Sequence, residues 1–477
     1  MTAASSGASP LQRYREVERE IVSRRPERSI EPTLERISGL AVLLGDPQRA
    51  YPVIHITGTN GKTSTARMID TLLRARGLRT GRFTSPHLVS MRERICVDGE
   101  PLSEERFVEA YEDVLPQVRM VDQRGVPLSF FEVLTGMAYA AFADAPVDVA
   151  VVEVGLGGTW DATNIADASV AVVTPISVDH TQYLGDTVAA IATEKAGIIK
   201  PGAVAVIGQQ PLEAAEILLR RCAQEGASVA REGIEFGVLQ RDVAVGGQRL
   251  ALRGLRGVYE NLFLPLFGAH QAGNAACALA AVEAFAGIGA AGSVGAGVVP
   301  VDLGSGSLGS NGHGTGNALD PELVGEAFRE MTSPGRLEVI KRSPAIVIDA
   351  AHNPAGMAAT VAALEESFTF TALIGVVAVM ADKDVAGILG PLEPLLSEIV
   401  VTRNSDVRSM DTEELARQAA EMFGPERVHA ESRIDDAIET AVALADEEAP
   451  DDAGGGAAVL VTGSVVTAGD ARLLLGR

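Results

Sequence analysis

The chain has 477 residues, 47% of them hydrophobic, and carries 40 Lys and Arg against 63 Asp and Glu, a formal charge of −23. The length favours two or three domains, and the acid excess argues against a nucleic-acid partner, because phosphate backbones are bound through a surplus of Lys and Arg. Cys96, Cys222 and Cys277 lack CxxC spacing and read as reduced; with no apolar run of ~18 residues and no signal-peptide pattern, a cytoplasmic protein with no membrane partner is expected.

Leu11 to Gly45 reads as helical. Next comes Val53-Ile-His-Ile-Thr-Gly-Thr-Asn-Gly-Lys-Thr-Ser64, a buried-looking strand that breaks into a glycine-framed turn and delivers a lysine and two hydroxyls to a helix start. This is phosphate-binding architecture: Gly58 and Gly61 let backbone N–H groups face an anion, Lys62 supplies a point charge, and Thr63 offers an oxygen to Mg²⁺. Thr59, Asn60 and Ser64 complete the predicted nucleotide loop. Ile56 stands where the usual P-loop has its first Gly. A helix over Ser64–Arg76 follows, with apolar Ala66, Ile69, Leu72 and Leu73, stopped by Gly77.

Farther on, apolar strands alternate with helix-period segments, a βαβ rhythm that predicts parallel sheets with ligands at the strands' carboxyl ends. Val149–Val154 presents Glu153 beside Gly155-Leu-Gly-Gly158, which suits a metal-binding carboxylate, and Ser169–Thr174 is a second such strand. A further strand ending in Ser177-Val-Asp-His180 would bring His180 to the same edge. Lys195, flanked by apolar residues on a helix, would ordinarily snorkel to water. Composition then turns to Gly, Ser, Ala and Asn between 286 and 320, which predicts a flexible insertion with His313 as a loop residue. Beyond it, strands at Ala345–Ile348, Thr371–Val379, Glu398–Thr402 and Ala458–Thr462, with helices from Gly356 and Thr412, predict a second α/β domain. The expected division is 1–333 and 334–477: a P-loop NTPase-like α/β domain, then a smaller Rossmann-like one.

Taken together, the motifs resemble the folylpolyglutamate synthase and dihydrofolate synthase family, within the muramyl-type ligases. The matching residues are Leu44-Gly-Asp-Pro-Gln, His55-Ile-Thr-Gly-Thr-Asn-Gly-Lys-Thr-Ser, Thr84-Ser-Pro-His-Leu, Phe130-Phe-Glu, Glu153-Val-Gly-Leu-Gly-Gly, Asp161-Ala-Thr-Asn, Asp179-His, Glu194-Lys-Ala-Gly-Ile, His270-Gln, Pro334-Gly-Arg and Asp349-Ala-Ala-His-Asn-Pro, in the family's order. Two departures are Thr63, where the family commonly has Gly, and Thr159-Trp160, where it has an Arg-Leu pair.

The resemblance implies an ATP-dependent amide ligase in which a substrate carboxylate attacks the γ-phosphate and glutamate opens the acyl phosphate. It implies that Ser85, Glu153 and His180 help bind Mg²⁺, that Asn274, Arg336 and Asp349 contact the nucleotide, and that His352 lies by the phosphates. By the same resemblance Lys195 is carbamylated by CO₂ and holds a second Mg²⁺. Phe130, Phe131, Glu132, Asp161 and the Thr159-Trp160 loop would form the pteridine side, and Arg92 and Arg94 would meet glutamate carboxylates. Lys62, Lys195 and His352 are the expected catalytic set. The expected substrates are ATP, L-glutamate, dihydropteroate and reduced folates, bound by a monomer.

Three other readings compete. A muramyl-type cell-wall ligase would carry a uridine-nucleotide domain before the P-loop, and only 57 residues precede Gly58. A P-loop switch does not account for Glu194-Lys195 or His270-Gln271. An inert interaction protein predicts loss of Lys62, Glu153, His180 and Lys195, all of which are present.

Overall fold

The computed structural model describes residues 9–26, 31–292, 318–448 and 456–476. An eight-stranded sheet is built from β1 (Val53–Thr57), β2 (Thr80–Phe83), β3 (Ile95–Val97), β4 (Glu100–Pro101), β5 (Val149–Glu153), β6 (Val170–Val173), β7 (Val204–Ile207) and β8 (Ser228–Arg231), in the order β4-β3-β2-β5-β1-β6-β7-β8. β1 lies near the middle, parallel to β5 and β6, and all five of its residues are buried. Such near-continuous apolar strands are what a parallel sheet covered on both faces requires.

The helix Lys62–Ala75 buries Ala66, Met68, Ile69, Leu72 and Leu73 on one face of the sheet, while Phe130–Asp144 packs Val133, Leu134, Met137 and Phe142 on the other. Each of the larger side chains contributes about 1.5–3 kcal/mol by leaving water. One polar tie runs through this packing. Asp70 of the first helix accepts from Arg82 of β2 at 2.9 Å and from the Thr80 hydroxyl at 2.6 Å, and Asp70 is fully buried.

A three-stranded antiparallel sheet follows, β9 (Gly237–Ala244), β10 (Gly247–Arg253) and β11 (Val258–Leu264). It departs from the expected parallel rhythm, as do β3 and β4. The third sheet holds β12 (Glu338–Arg342), β13 (Ala345–Ile348), β14 (Leu373–Val377), β15 (Glu398–Val401), β16 (Val428–Ala430) and β17 (Ala458–Thr462), in the order β12-β13-β17-β14-β15-β16. It is parallel except for β12.

The boundaries of the predicted insertion shift. Ala286–Gly292 belong to the helix Ala269–Gly292, and Leu319 is buried with its N–H on the Tyr259 hydroxyl at 2.9 Å. Residues 293–317, with His313, lie outside the described residues. The three cysteines are free and buried.

Contacts between the first two sheets and the third include ion pairs, neutral hydrogen bonds such as Asn353 to Asn60, and apolar packing. Arg241 of β9 forms a fork with Glu366, its Nη2 at 2.6 Å from Oε2, and Lys383 reaches Asp179 at 2.7 Å. Apolar contacts join them too: Phe267 lies against Phe368 with ring centroids 4.7 Å apart. Leu88, in the loop after β2, packs with the Ile346, Ile348 and Ala468 cluster of the third sheet. A Cβ on Gly469 would meet its carbonyl oxygen at 2.0 Å, and one on Gly335 would meet Leu88 Cδ1 at 3.1 Å.

Candidate functional site

The segment from Gly58 to Ser64 turns off the carboxyl end of β1 into the Lys62–Ala75 helix. Gly58 has φ +145° and a Cβ there would lie 1.9 Å from Thr174 Oγ1, so only glycine fits. A Cβ on Gly61 would meet Asn274 Oδ1 at 2.4 Å, which places Asn274 against the loop as expected. Thr59 is tied by its N–H to Pro175 O and by its hydroxyl to Ser177 O. Lys62 curls back, donating to Gly58 O and Thr59 O at 3.1 Å each. Ser64 meets Ser333 at 3.0 Å.

Glu153, at the end of β5, accepts from the Thr63 hydroxyl at 2.9 Å on both oxygens and from Ser85 N–H at 3.3 Å. Burial pushes its carboxyl up to about 7 against the pull of Lys62. Thr63, Ser85 and Glu153 are thus brought together. His180 is not at a strand end: β6 stops at Val173, and His180 sits beyond it in the left-handed conformation, φ +52°. It still reaches the site. A polar recess of about 30 Å³ is lined by Gly58, Thr59, Lys62, His180, Lys195 and His352 among others.

Lys195 does not snorkel. It is 3% exposed, donates to Gly58 O at 2.8 Å, and burial together with Lys62 lowers its ammonium to about 7. Its helix is pressed on the glycine turn, since a Cβ on Gly158 would lie 2.7 Å from Glu194 O. His352 Nδ1 is 3.0 Å from Ala350 O, so Nδ1 carries the proton and Nε2 is bare; burial and Lys383 lower the ring to about 4. Arg336 follows Gly335 and is close enough for its charge to act on Lys62 and Glu153. Asp349, beyond β13, accepts from Leu337 N–H, Ala351 N–H and the Thr360 hydroxyl.

Asp179 joins this cluster; the Asp179-His motif singled it out in the sequence but attached no role to it. It accepts from Lys383 at 2.7 Å and Asn353 at 3.0 Å, with His180 and His352 within 4.0 Å. Burial alone would raise its carboxyl, but His180, Lys383 and His352 hold it well below the usual range. Asn353 also bonds Asn60 at 3.1 Å. The available signal was the charged run Asp382-Lys-Asp384, which comes soon after β14 ends.

Sharing Gly155, Leu156, His180 and His352 with the recess is a cavity of about 570 Å³. Its walls come from both sides: Ser85, Phe131, Glu132, Trp160 and Asp161 from the first sheet, Met380, Lys383, Arg408, Ser464 and Val465 from the third. Phe131 lies against Phe83 with ring centroids 5.7 Å apart. Three expectations fail here. Phe130 is not a wall residue; it lies under the Arg94 guanidinium at 5.0 Å. Arg94 donates to His87, and Arg92 donates to Leu102 O and covers the Tyr14 ring at 5.7 Å, so neither faces the cavity. Each guanidinium is held on an aromatic face instead of in the cleft. The cations lining the cavity are instead Arg25, Arg36, Lys383 and Arg408.

Glu132 closes a capping box with Ser129 and pairs with Arg36 at 3.0 Å. Thr159 and Trp160 are pinned to Glu194, Thr159 by its hydroxyl on the carbonyl and Trp160 by its N–H on the carboxylate; only Trp160 faces the cavity. Asp161 is buried and accepts from Leu156 N–H at 2.9 Å and Thr163 N–H at 3.0 Å.

Among the described residues no three His, Cys, Asp or Glu side chains gather as a metal-binding group. The donors at hand are oxygens of Thr63, Ser85 and Glu153 with His180 beside them. That set, with one carboxylate and room for phosphate oxygens, fits Mg²⁺, a hard cation that keeps substrate and water in its shell. A buried, easily neutralised Lys195 amine fits a carbamate.

The chain matches the Mur ligase middle domain over residues 126–282 and the Mur ligase, glutamate ligase domain over 335–465. It is 50% identical over 481 residues to dihydrofolate synthase/folylpolyglutamate synthase of Mycobacterium tuberculosis, covering 97% of this chain and 94% of that one. The solved Mycobacterium tuberculosis folylpolyglutamate synthase, complexed with ADP and AMPPCP, is 49% identical with a TM-score of 0.88, covering 98% of this chain and 99% of the other. The E. coli FolC structure with DHPP and ADP is 28% identical, covers 99% of each chain and has a TM-score of 0.80.

Proposed function

The chain belongs to the dihydrofolate synthase/folylpolyglutamate synthase family of Mur ligases, and from that premise we propose that it joins L-glutamate both to dihydropteroate and to reduced folates at one ATP-dependent site. One observation carries the reading: the phosphate-binding recess at Lys62 is contiguous with a cavity large enough for a pterin acceptor. An acceptor carboxylate can thus lie at the γ-phosphate while its ring fills the cavity.

In this reading the Gly58–Ser64 amides and Lys62 hold the phosphates and offset charge that builds during transfer. Asn274, Arg336 and Asp349 hold the nucleotide. Ser85, Glu153 and His180 would hold Mg²⁺, and a carbamate on Lys195 a second ion; bound there, the metals would neutralise phosphate charge. Phe131, Trp160 and Asp161 bind the pterin ring. Lys383 and Arg408 replace Arg92 and Arg94 as partners for glutamate carboxylates, because they line the cavity. His352, neutral with a bare Nε2, is placed to accept a proton from the attacking amine.

We place the division between domains at 333/334, so that the site lies between them and closure keeps water from the acyl phosphate. We infer a cytoplasmic monomer; no helix among the described residues is long and apolar enough to cross a membrane. Phosphate release by purified protein given ATP, glutamate and each acceptor in turn tests the proposal. Turnover with both acceptors is expected; strict use of one refutes dual activity.

A further inference from the structure

β1 reads Val-Ile-His-Ile-Thr, and its histidine is fully buried in the middle of an otherwise apolar strand, registered between Val152 and Ala171. Packing alone does not call for imidazole there, since a buried polar ring costs free energy unless its nitrogens are used. His55 Nε2 lies 2.8 Å from the Thr163 hydroxyl, and that hydroxyl donates to Asp161. Thr163 is itself fully buried, and its carbonyl accepts from Tyr139 OH at 2.6 Å.

The proton count along this chain has one solution with an ionised Asp161. A carboxylate only accepts, so the single Thr163 hydroxyl proton points at Asp161. Thr163 Oγ1 must then accept from His55, which puts the imidazole proton on Nε2 and leaves Nδ1 bare. His55 Nδ1 is buried with no hydrogen-bond partner. A bare ring nitrogen tolerates that position better than an N–H would. Burial also keeps the ring neutral, lowering it to about 3. Every donor in the chain therefore points the same way, from the strand toward the cavity.

Asp161 is where the chain ends and the acceptor site begins. It lines the large cavity, and its other oxygen accepts from Leu156 N–H, within the Gly155–Gly158 turn that borders both cavity and recess. We propose that His55 is a positioning residue for the acceptor: by donating to Thr163 it commits the threonine proton to Asp161, and so fixes that carboxylate and the glycine turn it holds. This rests on the assignment of Asp161 to the dihydropteroate site. Three residues past His55 the same strand opens into the phosphate loop. A single rigid strand thus sets both the acceptor floor and the nucleotide loop, and with them the separation of the reacting groups.

The test uses the enzyme with His55→Phe and Thr163→Val, which remove the donors but keep a ring at 55 and the side-chain shape at 163, and His55→Gln and Thr163→Ser, which keep a donor at the same place. The first pair should raise KM for dihydropteroate roughly tenfold, the effect of one lost charge-assisted hydrogen bond. KM for ATP should stay within about twofold, and the second pair should recover most of the loss. His55→Gln as impaired as His55→Phe, or KM for ATP rising in step, would overturn the proposal in favour of simple core packing. If His55→Phe does not fold, Thr163→Val carries the same comparison.

Asp161→Asn separates the two layers of the argument. Unchanged KM for dihydropteroate in that variant overturns the assignment of Asp161 and the proposal with it. An impaired Asp161→Asn beside an unimpaired Thr163→Val overturns the His55 proposal alone. Long-range ¹⁵N–¹H correlation of the imidazole in the unmodified protein should show a protonated Nε2 and a bare Nδ1; the opposite tautomer refutes the donor chain.

Discussion

Lys195 shows how a single residue can reverse its meaning between sequence and structure. Its apolar flanks suggested a surface lysine, because nothing in Ala192-Thr-Glu-Lys-Ala states that the helix end is pressed on Gly158 and the phosphate loop. Buried beside Lys62, its folded value lies far below the usual lysine value of about 10.4. The unfolded chain therefore binds more protons between about 7 and 10, so the stability penalty of burying this lysine is full below 7 and fades as pH rises. The neutral amine that the proposed carbamate requires likewise appears as pH rises through about 7. With ¹³C-bicarbonate, a carbamate signal should grow between about pH 6 and 8 and be absent in Lys195→Ala. That variant should be nearly inactive and partly rescued by a short carboxylic acid; full activity without rescue rejects the carbamate. Glu153→Gln keeps the shape of the Thr63 and Ser85 contacts but halves the acceptor oxygens. We expect ligation lost by at least about a hundredfold with circular dichroism unchanged, and near-native turnover would remove Glu153 from the proposed metal site. Arg92 and Arg94 failed for the opposite reason to Lys195: charge was visible in the sequence, direction was not.

Elements were legible wherever burial was two-sided. The runs at Val149, Ala345 and Ala458 are continuous apolar strands of parallel sheets, and they emerged within a residue or two of expectation. β9 and β12 were not foreseen because both carry exposed polar residues at intervals, Gln240 and Asp242 in one, Lys341 and Arg342 in the other. An edge or solvated strand has no apolar run to announce it. The helix after the phosphate loop was legible, but the tie that fixes it to β2 was not. Asp70 looks like an exposed helix residue until Arg82 and Thr80 close over it. Asp70→Ala strands a buried guanidinium and should lower unfolding free energy by roughly 3–5 kcal/mol, read as a fall in denaturant midpoint. A loss under about 1 kcal/mol would mean that water reaches Arg82.

At the scale of the whole molecule, the sequence indicated two α/β bodies and a site between them, but not how they are joined. Asp179–Lys383 and Arg241–Glu366 are ionic and pair residues more than two hundred and more than a hundred positions apart, separations that no local pattern encodes. The seating of Leu88 is different in kind. Its loop is strung on Glu93, whose carboxylate accepts from the N–H groups of Leu88, Val89 and Ser90, and the same loop begins at Ser85 beside Glu153. Salt should loosen the two ion pairs and leave this contact intact. Leu88 therefore behaves as a detent: parting the bodies must first lift one half-buried leucine out of its notch, at a cost of about 1.5 kcal/mol. Leu88→Ser removes that click, and amide hydrogen exchange at 88–90 should quicken roughly tenfold, whereas unchanged exchange would mean the notch holds nothing. The geometry of the Ser85 loop is then partly on loan from the far half of the chain, so a lesion in the last helix, at Gly469, can act as an active-site defect without touching any substrate.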